Sequence, residues 1–362
     1  FHPFAAPAGF GELSLVPYWR ANHASRPFAD VVSYQPELIR QGRAPKQGMT
    51  PEWAAVANYA YHLYAGKFGL FLRKHCTEKL GVEHVLTHVS GIVAADNGDI
   101  AALETSDRGL IRADLFIDCT GFRSMLLGEH FAVPFVSCRE TLFCDSAIAM
   151  QVPYASDEAP IASATLSTAQ KAGWIWDIGL PTRRGTGHVY SSAHMSADEA
   201  ESCLRAYAES AGADTSKLEA RRISINPGHR ALFWKNNCVA VGISAGFIEP
   251  LEASALALIE LSAAMIRDDF PATRELMDVV ADRFNQRMAY RWQRIVEFLK
   301  LHYVLSRRKD SDFWLENREP GTIPERLQDL MKLWAYRPPS RRDFWEIEEI
   351  FPAASYQYVL YG

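Results

Sequence analysis

At 362 residues the chain has room for about two domains, and 48% hydrophobic with 22% charged residues gives it a large core and a solvated surface. A net charge of −5 excludes recognition of nucleic acid or an anionic membrane by bulk charge. No apolar run is long enough to span a bilayer, no secretory leader is visible, and the cysteines at 76, 119, 138, 144, 203 and 238 have neither CxxC nor metal-ligand spacing, which suits a reducing, cytoplasmic setting.

Residues 1–50 are rich in Pro, Gly and aromatics and read as ordered loops and short helices. Phe1, Phe4, Phe10, Tyr18 and Trp19 could line an apolar pocket, but ordinary loop packing is the simpler reading. Residues 52–80 carry helical spacing through Tyr59, His62, Leu63, Gly66, Leu70 and Arg73, with Gly81 as the stop. Strands follow at Val82–Val93, Ile100–Thr105 and Leu110–Ile117, the first two joined by an Asn97-Gly98 hairpin turn. The third runs into Asp118-Cys119-Thr120-Gly121-Phe122-Arg123. In dinucleotide-type sheets ligands gather at such a strand end, and glycine there admits a close backbone approach. A plain Asx-capped turn is the bland alternative.

Strands are expected over 141–154 and 161–168. The next stretch, Trp174-Ile175-Trp176-Asp177-Ile178, alternates so that both tryptophans face one side of a sheet. Arg183 to Gly187 reads as a turn and His188–Ser192 as the returning strand. A capped helix covers 196–210, with Ser196 and Glu199 as a capping box. After a strand at 221–225, Val239–Val241 leads into Gly242, Gly246 and Glu249-Pro250-Leu251-Glu252. A helix from Leu251 to about Ile266 is apolar almost all round and therefore expected to be buried, with Pro250 at its start. Two carboxylates then sit at its positive end, as caps or as working groups. Long helices are expected over 275–305 and 324–336. This divides the chain into 1–269 and a helical module, 270–362.

Four stretches kept in one order resemble the flavin-dependent tryptophan halogenases. They are the Asp118–Arg123 turn, the Trp174–Ile178 motif, the Asn237–Gly242 strand with its Glu-Pro-Leu-Glu, and Leu301-His302-Tyr303 followed by Phe313-Trp314. The family motif is Trp-x-Trp-x-Ile-Pro, so Gly179 departs from it. Ala253 replaces the usual Ser, and Ser254-Ala255 the usual Thr-Gly. These departures suit a divergent branch acting on indole or another aromatic.

The resemblance implies an α/β FAD/NAD(P)-binding flavoprotein monooxygenase-like fold with an added C-terminal helical module. It also implies FAD reduced by a separate flavin reductase, molecular oxygen, and chloride or bromide converted through a flavin hydroperoxide to hypohalous acid. That oxidant then reaches a lysine near a small aromatic substrate. Glu252 matches the carboxylate that accepts the ring proton. Ser254 and Ala255 match the halide site. Ile243, Leu256, Gly242, Asp118 and Gly121 match flavin-side positions, and Val89 an adenine-side one. His2 and Phe4 match residues that sandwich the substrate ring, with Trp174 and Trp176 as the motif pair. No GxGxxG and no matching lysine occur in the sequence, so an N-terminal truncation of roughly a hundred residues, the size of a glycine-loop unit, is expected. The fragment alone is then expected to be inactive. No metal, nucleic acid or membrane is implied, and a homodimer is compatible. The alternatives are a flavin-dependent aromatic monooxygenase and a non-catalytic flavin or aromatic-ligand binding protein.

Overall fold

The computed structural model describes residues 1–54, 57–346 and 349–362. The chain packs as two compact units built from separated stretches: residues 1–63, 140–225 and 295–362 form the first, and residues 64–139 with 226–294 the second. In this division residues 270–294 fall in the second unit and residues 295–362 in the first.

The first unit is centred on a five-stranded antiparallel sheet. Its order is Ala220–Ser224, Ser146–Pro153, Arg183–Tyr190, Gly173–Gly179, Leu166–Gln170. Arg183 to Gly187 lies within a strand, not in a turn. Register explains this: Trp176 pairs with Gly187 and Asp177 with Thr186, while the chain reverses at Leu180–Arg183. The helix Ala197–Ser210 begins with the expected capping box, Ser196 accepting from the Glu199 amide and Glu199 from the Ser196 amide. It covers the sheet, and His188 reaches the Ala200 carbonyl at 3.0 Å. The N-terminal short helices Val16–Asn22 and Phe28–Val32 share a core with Tyr358 of the final helix, Ala353–Leu360, and with Tyr361 just after it.

In the second unit the Asn97-Gly98 turn is where expected, with Gly98 at φ 85°, but the strand leading into it is Val89–Ala94 and does not start at Val82; its partner is Ile100–Thr105. The residues from Leu110 to Ile117 form two short strands, Gly109–Ile111 and Phe116–Asp118. The expected helix over 52–80 is shorter, Ala65–Lys79, and positions 55 and 56 of that expectation lie outside the described residues. Phe116–Asp118 pairs in parallel with Cys238–Ala240. Asn237 ties the hairpin to this pair: its side chain accepts from the Ile100 amide at 2.8 Å and donates to the Ile100 carbonyl at 2.9 Å, as a neighbouring strand would. Arg274 makes a two-pronged contact with Asp99 at 2.7 and 2.8 Å, fixing the hairpin tip to the start of the long helix Arg274–Leu305.

Candidate active site

Parallel pairing brings two strand ends together. Phe116–Asp118 and Cys238–Ala240 finish side by side, and each passes into a tight turn, Gly121–Arg123 and Gly242–Ser244. The two turns pack on one another, so stretches well over a hundred positions apart in sequence meet where α/β sheets bind ligands. Phe122 and Phe247 close the contact edge to face at 5.5 Å.

Asp118 explains why the first turn holds. It is buried, and its carboxylate accepts from the amides of Thr120, Leu126 and Leu127 and from the Thr120 hydroxyl at 2.7–3.0 Å. Burial pushes its pKa up, but these donors outweigh it and hold the carboxyl below its usual value. Asp118 is therefore the post on which the Met125–His130 turn is hung, and its oxygens are committed to the protein. Burial and the Asp118 charge push the neighbouring Cys119 thiol up, away from a reactive thiolate.

The helix after Glu-Pro-Leu-Glu differs from its sequence expectation in two respects. It begins at Ser254 and runs to Asp268, preceded by a single 3-10 turn, Leu251–Ala253. Glu252 and Ala253 there hold left-handed backbone, φ 65° and 51°. A carboxylate at Glu252 is thus set just outside the helix and not within its first turn, and Pro250 caps the 3-10 turn. Nor is the helix buried all round. Only the stripe Ser254, Leu258, Ser262 and Ile266 is buried, while Leu256 is 61% and Ile259 38% exposed. An apolar residue on every face does not by itself supply a neighbour for every face. Glu249, the other carboxylate expected at this helix start, is buried, and so is Ser244, a polar group of the same loop that the sequence does not single out.

The other expected residues lie in the first unit or at the margin of the second. Val89 opens its strand, half-buried at a register shift opposite Thr105. His2 packs its ring on Phe298 and Tyr358 at 5.8 and 6.2 Å, whereas Phe4 is 68% exposed. Trp174 and Trp176 lie on the same face of their strand, edge to face at 6.4 Å. Gly187 opposite makes room for Trp176, since a Cβ there would sit 2.0 Å from the indole. Asp177 is locked by Arg184 at 2.8 Å and Tyr207 at 3.2 Å. The Gly-Thr-Gly opposite a tryptophan was the available signal for this strand.

The whole chain, residues 1–362, matches the family model described as tryptophan halogenase. The chain belongs to the tryptophan halogenase family. This makes it a flavin-dependent halogenase, an oxidoreductase with the expected α/β flavoprotein fold. Among relatives of the family, it is 33% identical over 383 residues to a 7-chloro-L-tryptophan 6-halogenase of Kutzneria sp., covering 100% of this chain and 73% of the relative. The crystal structure of a tryptophan halogenase from Shewanella frigidimarina superposes with a TM-score of 0.96 at 51% identity, over 99% of this chain and 68% of that one. A flavin-dependent halogenase from Brevundimonas sp. gives 0.86 at 33% identity, over 99% and 73%. Among the described residues no helix is long and apolar enough to cross a membrane, and no cluster of His, Cys, Asp or Glu could hold a metal ion.

The residues of this halogenase fit the ring end of a flavin. Gly121 and Gly242 stand at φ 71° and 72°, with nothing within 4 Å of a Cβ built at the first and only Ile259, at 3.6 Å, near the second. Bare backbone of this kind can approach a flat, hydrogen-bonding ring. Ile243 on the same turn, 42% exposed, and Leu256 on the adjoining helix add apolar surface. No GxGxxG for the pyrophosphate occurs in the sequence.

Proposed function

We propose that the chain carries the halogenating centre for an electron-rich aromatic of the tryptophan or indole type, with Glu252 as the working carboxylate. Bound FAD, reduced by a separate reductase, would supply the oxygen activation that turns chloride or bromide into hypohalous acid. Gly121, Gly242, Ile243 and Leu256 would hold its ring end, with Val89 on the adenine side; Asp118 would act by shaping the turn.

The observation that carries this reading is the pair of left-handed residues at Glu252 and Ala253. A non-glycine residue in that region is costly, and such strain collects at functional sites. Here it sets a carboxylate at the mouth of a helix whose first amides have no intrahelical acceptor. Amides at Ser254 and Ala255 suit a halide. Glu252 suits the aromatic partner: when halogen adds to a ring carbon, the ring becomes cationic, and the carboxylate stabilises that charge and takes the proton as the C–H bond breaks. His2 and Phe4 would hold a flat ring by stacking.

The test is a product assay, run on the protein at its full natural length, with a flavin reductase and its nicotinamide, FAD, oxygen, bromide and either indole or tryptophan. Bromide-dependent appearance of the brominated aromatic is expected. A hydroxylated product formed equally without halide would overturn the reading in favour of a monooxygenase. Binding of FAD and aromatic with no product would favour a non-catalytic binder.

A further inference from the structure

Residues 1–8 lie in no helix or strand, yet they are pinned to the rest of the first unit. Pro3 and Pro7 are buried, and the Ala8 amide donates to the Val32 carbonyl at 3.0 Å. Between the two prolines, both backbone groups of Ala5 are held by side chains remote in sequence. The Ala5 amide donates to Gln35 Oε1 at 2.9 Å, and the Ala5 carbonyl accepts from the Tyr358 hydroxyl at 2.8 Å. The amide and the carbonyl of one residue belong to successive peptide planes, and each plane is rigid. Holding both therefore fixes the direction in which the chain runs back from Ala5 to Phe4. Pro3, its φ locked by its ring, narrows the freedom left between Phe4 and His2.

The two holding groups are themselves built into the core, Tyr358 and Gln35 both being buried. Gln35 commits its amide nitrogen to the Asn58 carbonyl at 2.6 Å, which leaves its oxygen to accept from Ala5. Burial pushes the Tyr358 phenol up to about 12, so the hydroxyl keeps the proton it donates. The Tyr358 ring lies 6.2 Å from the ring of His2 and 6.0 Å from that of Phe28. One side chain thus touches the His2 ring and, through its hydroxyl, the backbone just beyond Phe4. Water would satisfy the backbone of a surface segment without help from the protein. Two buried side chains committed to one half-buried residue mark a conformation that is held, and the residues it holds in place are the two expected at the substrate ring.

We propose that Tyr358 and Gln35 are positioning residues for the aromatic substrate: by clamping Ala5 they set the His2–Phe4 stretch that holds the ring, and with it the ring carbon presented to the halogenating agent. This rests on the substrate class and the ring-holding residues proposed above. The test uses the protein at its full natural length and compares two variants. Tyr358→Phe removes only the hydroxyl that holds Ala5. Tyr361→Phe removes a hydroxyl buried in the same core that has no hydrogen-bond partner among the described residues. Calorimetric titration with indole and with L-tryptophan, without flavin or halide, should show Tyr358→Phe binding about fivefold more weakly, the scale of one buried hydrogen bond, and Tyr361→Phe within about twofold of the unaltered protein. In the bromination assay Tyr358→Phe should raise KM similarly, keep kcat and FAD affinity within about twofold, and enlarge the share of product brominated at a second ring position. A merely structural loss would lower the unfolding midpoint and leave that share alone. If Tyr358→Phe fails to fold, Gln35→Met, which frees the Ala5 amide instead, carries the same expectations. Equal affinity in Tyr358→Phe and Tyr361→Phe, or an unchanged product ratio, overturns the clamp. Absence of brominated product from the unaltered protein would overturn the proposed function, while the titration still decides the clamp.

Discussion

Glu252 and Ala253 occupy backbone that glycine would adopt at no steric cost, and neither is glycine. The left-handed region costs an alanine-like residue about 1 kcal/mol, part of which glycine returns through unfolded-chain entropy. Ala253→Gly should therefore stabilise the protein by about 0.5 kcal/mol, read as a higher urea midpoint at unchanged slope. Glu252→Gly should gain similarly and lose halogenation, so that stability and activity move in opposite directions. Destabilisation by both would show that the strain is not real. This conformation was not legible in the sequence. Glu-Pro-Leu-Glu before an apolar run reads as a helix start, and nothing in the residue types distinguishes a carboxylate inside the first turn from one held just before it. Asp118 is the reverse case. Its motif points to a ligand turn with an Asx cap as the bland alternative, and the hydrogen bonds commit its side chain to the protein as such a cap does.

The tryptophan strand depends on its partner having no side chain at one position. Gly187→Ala would drive a methyl to 2.0 Å from the Trp176 ring and 2.6 Å from the Ile148 carbonyl oxygen. A loss of about 1–3 kcal/mol is expected, with an altered near-ultraviolet circular dichroism of the tryptophans. Gly185→Ala, whose nearest neighbour is the Arg183 guanidinium at 3.7 Å, should stay within about 0.5 kcal/mol. Equal effects from the two would contradict the register. The same hairpin supplies a pH dependence. His188 is fully buried against the helix Ala197–Ser210, and burial lowers its pKa more than the bond to the Ala200 carbonyl raises it. A lowered histidine disfavours the folded state once the unfolded chain takes up a proton. Its contribution is intact above about pH 6.5 and is lost as pH falls from there through the folded value. His188→Phe should flatten stability against pH below about 6.5, while the half-buried His229, lowered in the same way, leaves some slope. An unchanged slope would remove His188 from the account.

At this scale the sequence was most readable where period and punctuation agreed: the Asn97-Gly98 hairpin, the Ser196 capping box and the long helix from Arg274. It misled where composition overrode period. Two arginines and two glycines in Arg183–Gly187 suggested a turn, although alternation continues through them. Helical spacing was read back to 52 because Tyr59, His62 and Leu63 happen to fit it, whereas contacts remote in sequence hold His62 outside any helix.

Across the whole molecule the candidate groups divide between the two units. Glu252, Ser254, Ala255 and the turns at Gly121 and Gly242 belong to one, and His2, Phe4, Trp174 and Trp176 to the other. Family membership follows from motifs kept in order over the full chain, which is why it was visible without coordinates. The roles of single residues rest on local geometry, and Glu252 bears the greatest weight among them. Its most direct test is Glu252→Gln in the protein at its full natural length, assayed for brominated product and titrated with FAD in parallel. An amide cannot take the ring proton or offset a full charge, so product formation should fall by about 100-fold or more, the scale of general-base loss, with FAD affinity within about twofold of the unaltered protein. Retained bromination, or loss of FAD binding together with activity, would contradict the role assigned to this carboxylate.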